Sequence, residues 1–183
     1  GVTRLHFTND YRVFFSKENP QLLAFENLQN TYTKNDNVLF VITPKDYNVF
    51  TPETLAAVRD ITKQSWQIPY SIRVDSITNF QHTSADEDDL IVDDLVPDPE
   101  TLSEEDLQYI KEVALTEPML INRLISKDAA YTGVNVVIQL PGVDQLKENP
   151  QVVSFARKMR DDMLQKYPNI EIRLVGVAMM NNA

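Results

Sequence analysis

The strongest constraint on the fold is a strand–helix–strand order that the sequence contains twice. The first occurrence begins with an apolar, β-branched run at residues 36–43, which is typical of a central strand. Thr51 and Pro52 then predict a helix start, because threonine caps free N–H groups and proline needs none at the first helical position. Apolar residues follow at helical spacing through residue 66, and residues 72–77 alternate as a half-buried strand.

The second occurrence lies in the C-terminal part of the chain. Residues 132–140 predict a strand, Asn149 and Pro150 predict the start of a helix, and residues 170–175 alternate as a final strand. The helix carries an apolar stripe made of Val152, Ala156, Met159 and Met163. Two such units predict an α+β fold, specifically a ferredoxin-like βαββαβ sandwich with a four-stranded antiparallel sheet and both helices on one face.

The rest of the chain is predicted to elaborate this core within a single domain of residues 1–183. Residues 1–35 form an N-terminal arm with a strand and a helix, and residues 36–76 and 131–178 form the core. Residues 77–130 are a long insertion between the second and third strands. We expect two helices in it, one capped by Ser103 over the inner face Leu107, Ile110 and Ala114, and a short one beginning at Pro118.

The negative charge of the chain is concentrated in this insertion. Twelve of the 27 acidic residues lie between Arg73 and Lys111, where there is no lysine or arginine, and the remaining fifteen are matched by 17 basic residues. A formal charge of −10 argues against nucleic acid as a partner, because phosphate binding needs a basic face. The chain has no cysteine, which excludes disulfides and thiolate chemistry.

No residue pattern predicts a catalytic or metal site. The acidic run at residues 86–89 is contiguous and lacks the glycine of a calcium loop, so we expect it to be a solvated surface. Two of these carboxylates could serve as an acid–base pair, but nothing in the sequence selects which two. His6 and His82 are the only histidines, and the four glycines are not spaced for a phosphate loop. We therefore predict no metal, no cofactor and no enzyme activity.

Several short segments, taken in order, resemble one known family. The most specific is Val74-Asp75-Ser76-Ile77-Thr78-Asn79-Phe80, followed by Asp89-Leu90-Ile91-Val92-Asp93-Asp94-Leu95. The likeness extends to residues 14–20, 36–41, 50–55, 117–118, 122–126 and 132–140. Together these segments resemble the extracytoplasmic porter domain of RND-superfamily exporters related to MMPL and Patched-like proteins, in which the first large loop follows the first membrane helix.

The resemblance implies a location, a function and partners. It places the domain on the periplasmic side of the bacterial inner membrane, with membrane helices before Gly1 and after Ala183. The domain would form part of the path of a hydrophobic or amphiphilic small molecule or lipid, beside a second porter loop and the membrane helices of the same protein, and a homo-oligomer stays open. Asn79, Phe80 and His82 are expected near this path or an interface. The alternative is a free-standing periplasmic ligand-binding or sensor domain.

Overall fold

The computed structural model describes residues 36–176, and the predicted N-terminal arm lies outside these residues. The described part of the chain is an α+β fold, which confirms the predicted class. Its elements are β1 (Asn37–Pro44), α1 (Pro52–Ser65), β2 (Ser71–Asp75), β3 (Gln81–Asp86), β4 (Asp89–Asp94), a 3-10 helix (Pro99–Thr101), α2 (Glu104–Thr116), β5 (Thr132–Ile138), α3 (Gln145–Lys166) and β6 (Ile170–Gly176).

The larger of two sheets has four strands in the order β2-β5-β1-β6, and all neighbouring strands are antiparallel. Phe40 at the centre of β1 lies opposite Val134 on one side and Leu174 on the other. The smaller sheet is the β3–β4 hairpin, which lies in the predicted insertion. The strands predicted at residues 36–43, 72–77, 132–140 and 170–175 are all present, with ends that shift by one or two residues.

The core forms between the four-stranded sheet and the helices. Val38, Phe40 and Ile42 belong to the same buried cluster as Leu55 and Ile61 of α1. The predicted apolar stripe of α3 joins this cluster through Val152, Ala156, Met159 and Met163, and so does the predicted inner face of α2 through Leu107, Ile110 and Ala114. The alternate residues of β1, Leu39 and Val41, are buried as well, so β1 is covered on both faces. Burial on both faces accounts for its uninterrupted apolar sequence.

The start of α3 differs from the prediction. The helix begins at Gln145 rather than after Asn149, and Pro150 lies inside it. Glu148 explains the earlier start, because its carboxylate accepts the backbone N–H groups of the turn that leads into the helix: Gly142 at 3.0 Å, Val143 at 2.9 Å and Asp144 at 2.6 Å. These bonds order the chain ahead of Asn149 and let Pro150 occupy the second helical turn at the cost of one N–H donor.

The insertion also differs from the prediction, which placed two helices in it. Only α2 forms, capped by Ser103 as expected, and residues 81–94 form the unpredicted hairpin. The prediction of a short helix beginning at Pro118 is wrong. The N–H groups of Leu120 and Ile121 both bond to the carbonyl of Glu117, and Asn122 then turns into the left-handed region with a φ of 61°. A left-handed residue ends a helix after a single turn.

Candidate functional site

Two cavities, each enclosing about 280 Å³, lie on either side of the segment that follows β4. The hairpin groove lies between the β3–β4 hairpin and α2, and its lining includes His82, Ser84, Asp93, Leu95, Leu102, Asp106, Tyr109 and Ile110. The tryptophan groove lies beside α1, and its lining includes Arg59, Thr62, Lys63, Trp66, Thr78 and Asn79. Asp94 and Pro97 line both grooves, so the two grooves are neighbours.

The hairpin groove has an apolar floor and an acidic rim. Leu95 and Ile110 are buried beneath it, and Leu102 packs against the same core. Asp93 and Asp106 lie at its edge and are exposed. A concave apolar surface with a few polar groups is the usual form of a small-molecule site. The arrangement is suited to binding an apolar or amphiphilic molecule.

His82 and Tyr109 join the two sides of the hairpin groove. His82 Nε2 lies 3.0 Å from the Tyr109 hydroxyl, within hydrogen-bond distance, and the two rings meet edge to face with centroids 6.1 Å apart. His82 comes from β3 and Tyr109 from the outer side of α2, where its side chain is half exposed. The pair therefore fixes the width of the groove at this end.

Asp106 gives the rim a constant negative charge. Its carboxylate accepts the N–H of Ser103 at 2.9 Å, while the Ser103 hydroxyl accepts the N–H of Asp106 at 3.1 Å, so the two residues form a capping box. The Ser103 N–H, together with the Ser103 side chain, lowers the pKa of the Asp106 carboxyl. Asp106 is therefore ionised throughout the neutral range.

The tryptophan groove has a more polar floor. The hydroxyls of Thr62, Ser76 and Thr78 form a buried cluster, with Thr62 bonded to Ser76 and Ser76 to Thr78 at 2.7 Å each. Trp66 lies at the C-terminal end of α1 with about half of its surface exposed. Because Thr62 belongs to α1, its hydrogen bond to Ser76 holds α1 against the 76–78 turn.

Arg59 closes one end of the tryptophan groove and ties α1 to the insertion. Its two terminal nitrogens donate to the two carboxylate oxygens of Glu100 at 2.7 and 2.8 Å, and one of them also donates to Asp98 at 3.2 Å. A two-point guanidinium–carboxylate pair is among the strongest side-chain hydrogen bonds. The hydrogen bonds from Arg59 lower the pKa of the Glu100 carboxyl to about 2. The same bonds are the main reason that the pKa of the Arg59 guanidinium is raised.

The structure separates the three predicted site residues. His82 lines the hairpin groove and Asn79 lines the tryptophan groove. The Asn79 amide is occupied in folding the chain, because it accepts the N–H of Ser76 at 2.9 Å and donates to the carbonyl of Val74 at 2.8 Å. Phe80 packs against the core and lines neither groove. Of the three, His82 alone has a polar contact across the hairpin groove.

Tyr109 and Trp66 are the site residues that the sequence did not predict. Tyr109 follows the buried Leu107 by two positions, which places it on the outer side of the amphipathic helix. A large aromatic residue on the outer face of such a helix was the available signal. Trp66 sits just past the last residue of α1, where half exposure is ordinary, so no sequence signal set it apart.

Residues 36–176 contain no group of three or more histidine, aspartate or glutamate side chains placed to hold a metal ion. Among the helices described, none is long and apolar enough to cross a membrane. The chain matches no protein-family model and no curated protein sequence.

Proposed function

We propose that this chain is the porter domain of an RND-type exporter on the periplasmic side of the bacterial inner membrane, with a ferredoxin-like core. The strand order β2-β5-β1-β6, antiparallel throughout, carries the proposal. In a ferredoxin-like βαββαβ sandwich the first and third strands are central, as β1 and β5 are, and the second and fourth form the edges, as β2 and β6 do. The hairpin and α2 fall between β2 and β5, where the exporter resemblance has its most specific residues.

Within this proposal the hairpin groove is part of the path for a hydrophobic or amphiphilic molecule. Leu95 and Ile110 form the apolar floor of the groove, and the acidic residues of its rim are in contact with solvent. The side walls belong to two different elements, which the His82–Tyr109 contact joins. Breaking that one contact lets the hairpin move away from α2, so the width of the groove can change with the position of a neighbouring porter loop.

The location is tested with the full-length gene product. After cell lysis and a wash in alkaline carbonate, which strips peripheral proteins, we expect the protein to stay with the membrane pellet. Its sequence should carry apolar segments of about 20 residues on both sides of this domain. If the protein is released into the supernatant and its flanking sequence lacks such segments, the exporter proposal is wrong and the free-standing ligand-binding or sensor domain is favoured.

The path is tested by filling the groove. Ser84→Tyr places a bulky ring at the half-buried wall of the hairpin groove, whereas Gln108→Tyr places the same ring at an exposed position of α2 that lines neither groove. We expect cells that express Ser84→Tyr to release the lipophilic dye Nile red as slowly as cells without the protein, while Gln108→Tyr retains wild-type efflux. Equal efflux from both variants would remove the hairpin groove from the path.

A further inference from the structure

The outer face of the β3–β4 hairpin is an exposed apolar surface in the part of the chain that the structure describes. Leu90 is 76% exposed and Val92 is 57% exposed, although both lie in a strand. They share this face with Thr83 and Ala85, which lie opposite them in the register. A two-stranded ribbon is marginally stable by itself, so exposed leucine and valine on it indicate a surface that a partner covers.

The same two residues turn backbone groups away from β3. Leu95 N–H donates to the carbonyl of Phe80 at 2.8 Å, and antiparallel strands alternate between hydrogen-bonded and non-bonded pairs. The bonded pairs are therefore His82 with Asp93 and Ser84 with Ile91, which leaves the N–H and carbonyl groups of Leu90 and Val92 pointing away from β3. In the described part of the chain this sheet has two strands, so the outer edge of β4 is not paired with a third.

The charged residues of the hairpin itself all have the same sign. The hairpin contains six acidic residues, Asp86, Glu87, Asp88, Asp89, Asp93 and Asp94, all of them exposed, and there is no lysine or arginine from residue 74 to residue 110. Charges of this kind prevent an exposed edge from pairing with a second copy of the same chain, because like charges would face each other. They equally disfavour an anionic membrane surface.

We propose that the edge of β4 docks a basic polypeptide strand. The partner strand adds to β4 by hydrogen bonding to the outward N–H and carbonyl groups of Leu90 and Val92. Its apolar side chains pack on the side chains of Leu90 and Val92, and its lysines or arginines pair with the acidic residues of the hairpin. The charge that excludes a second copy thus selects a basic partner, which gives the surface its specificity. This docking surface is separate from the hairpin groove, which lies on the opposite face of the ribbon.

The test uses the 183-residue chain and a fluorescent peptide of about eight residues that alternates lysine and valine, the length of a short strand. A peptide that alternates glutamate and valine is the charge control. We expect the lysine peptide to bind, and its dissociation constant to rise at least about tenfold between about 0.05 M and about 0.5 M salt, because salt shortens the reach of exposed charges. The glutamate peptide should bind at least about a hundredfold more weakly.

Three variants locate the binding surface. Leu90→Ser/Val92→Ser should weaken binding of the lysine peptide by at least about tenfold. Val143→Ser/Leu146→Ser removes a valine and a leucine that are even more exposed, near the start of α3, and should bind as the wild type does. Val92→Pro keeps an apolar side chain but removes one outward N–H, and should weaken binding by at least about fivefold. Slow amide exchange at His82 and Ile91 verifies that each variant retains the hairpin.

Each other outcome overturns the proposal. If the lysine peptide does not bind, or if both peptides bind equally well, the proposal of a basic partner is wrong. If Val92→Pro binds the lysine peptide as tightly as the wild type does, the peptide does not bind by strand addition. If the two double serine variants lose equal affinity, the binding surface is not the edge of β4. A dimer, or binding to phosphatidylglycerol vesicles, that Leu90→Ser/Val92→Ser abolishes would assign the surface to a second copy or to a membrane instead.

Discussion

Arg59 and Glu100 form a two-point ion pair that fastens the insertion to the first helix of the core. Both terminal nitrogens of Arg59 donate to the Glu100 carboxylate, at 2.7 and 2.8 Å. The residues are far apart in sequence, and Glu100 lies in the short 3-10 helix between the hairpin and α2. The pair therefore sets where the insertion sits against α1, and with it the shape of the tryptophan groove.

Arg59→Lys should loosen the insertion without unfolding the core. Lysine keeps the charge but is a single-point donor, so it cannot hold both carboxylate oxygens. We expect the amides of Thr101 and Leu102, which donate to the carbonyls of Asp98 and Pro99, to exchange about ten times faster. Core amides in β1 should not change, and Lys158→Gln, which breaks an exposed pair on α3, should leave all of these rates unchanged. Equal acceleration in β1 would show that the pair supports the whole fold instead.

Gly176→Ala should destabilise the sheet strongly, because β6 approaches the backbone of β1 at this residue. A Cβ atom at position 176 would lie 2.6 Å from the carbonyl oxygen of Asn37, which cannot move without breaking the sheet. At Gly133 the nearest atom is Leu39 Cδ1 at 3.2 Å, the end of a side chain that can shift. We expect urea unfolding to give a loss of at least about 2 kcal/mol for Gly176→Ala and about 1 kcal/mol or less for Gly133→Ala. Similar losses would contradict the close approach.

The core elements were predictable from sequence because local and long-range requirements agree there. The apolar run of β1 is buried on both faces, and Thr51 caps α1 through the N–H of Thr54 at 3.2 Å, as its sequence indicated. The insertion was less predictable. Residues 81–86 are mostly polar and contain a single β-branched residue, Thr83, so the hairpin depends on the pairing of this strand with Leu90, Ile91 and Val92.

The candidate site depends on contacts that no local pattern reports. The sequence singled out His82 but could not place Tyr109 across from it, because the contact joins a strand and a helix. Asn79 was expected near the path because it lies in the segment that carries the family resemblance, and its amide instead folds the turn between β2 and β3. The start of α3 was misplaced for a related reason, since the Glu148 carboxylate acts on a preceding turn that has no helical pattern.

Glu148 should make the stability of the chain depend on pH in the acidic range. The N–H groups of Asp144, Gly142 and Val143 lower the pKa of its carboxyl below the ordinary value of 4.5. A depressed pKa means that the folded state prefers the ionised form, so the stabilisation is complete above pH 4.5 and is lost as the pH falls through the folded pKa. Glu148→Gln should therefore be less stable than the wild type at pH 7, and the difference should shrink below pH 4.5.

Urea unfolding of the wild type and of Glu148→Gln, at pH 7 and below pH 4.5, measures this difference in stability. The matched control is Glu171→Gln, because Glu171 is an exposed carboxylate on β6. A Glu148→Gln difference that stays constant with pH would show that the carboxylate contributes through shape alone and not through its charge.

The turn of the hairpin carries backbone strain that a substitution should remove. Glu87 has a φ of 55°, in the left-handed region that costs a residue with a Cβ about 1 kcal/mol or more and costs glycine almost nothing. Glu87→Gly should therefore stabilise the hairpin, slowing amide exchange at His82 and Ile91 about fivefold. Asp88→Gly is the matched control, because it also removes one negative charge from the turn but at a residue outside that region. It should speed exchange at the same amides, since glycine there only adds freedom to the open state. Slower exchange in both variants would assign the gain to reduced charge repulsion rather than to backbone conformation.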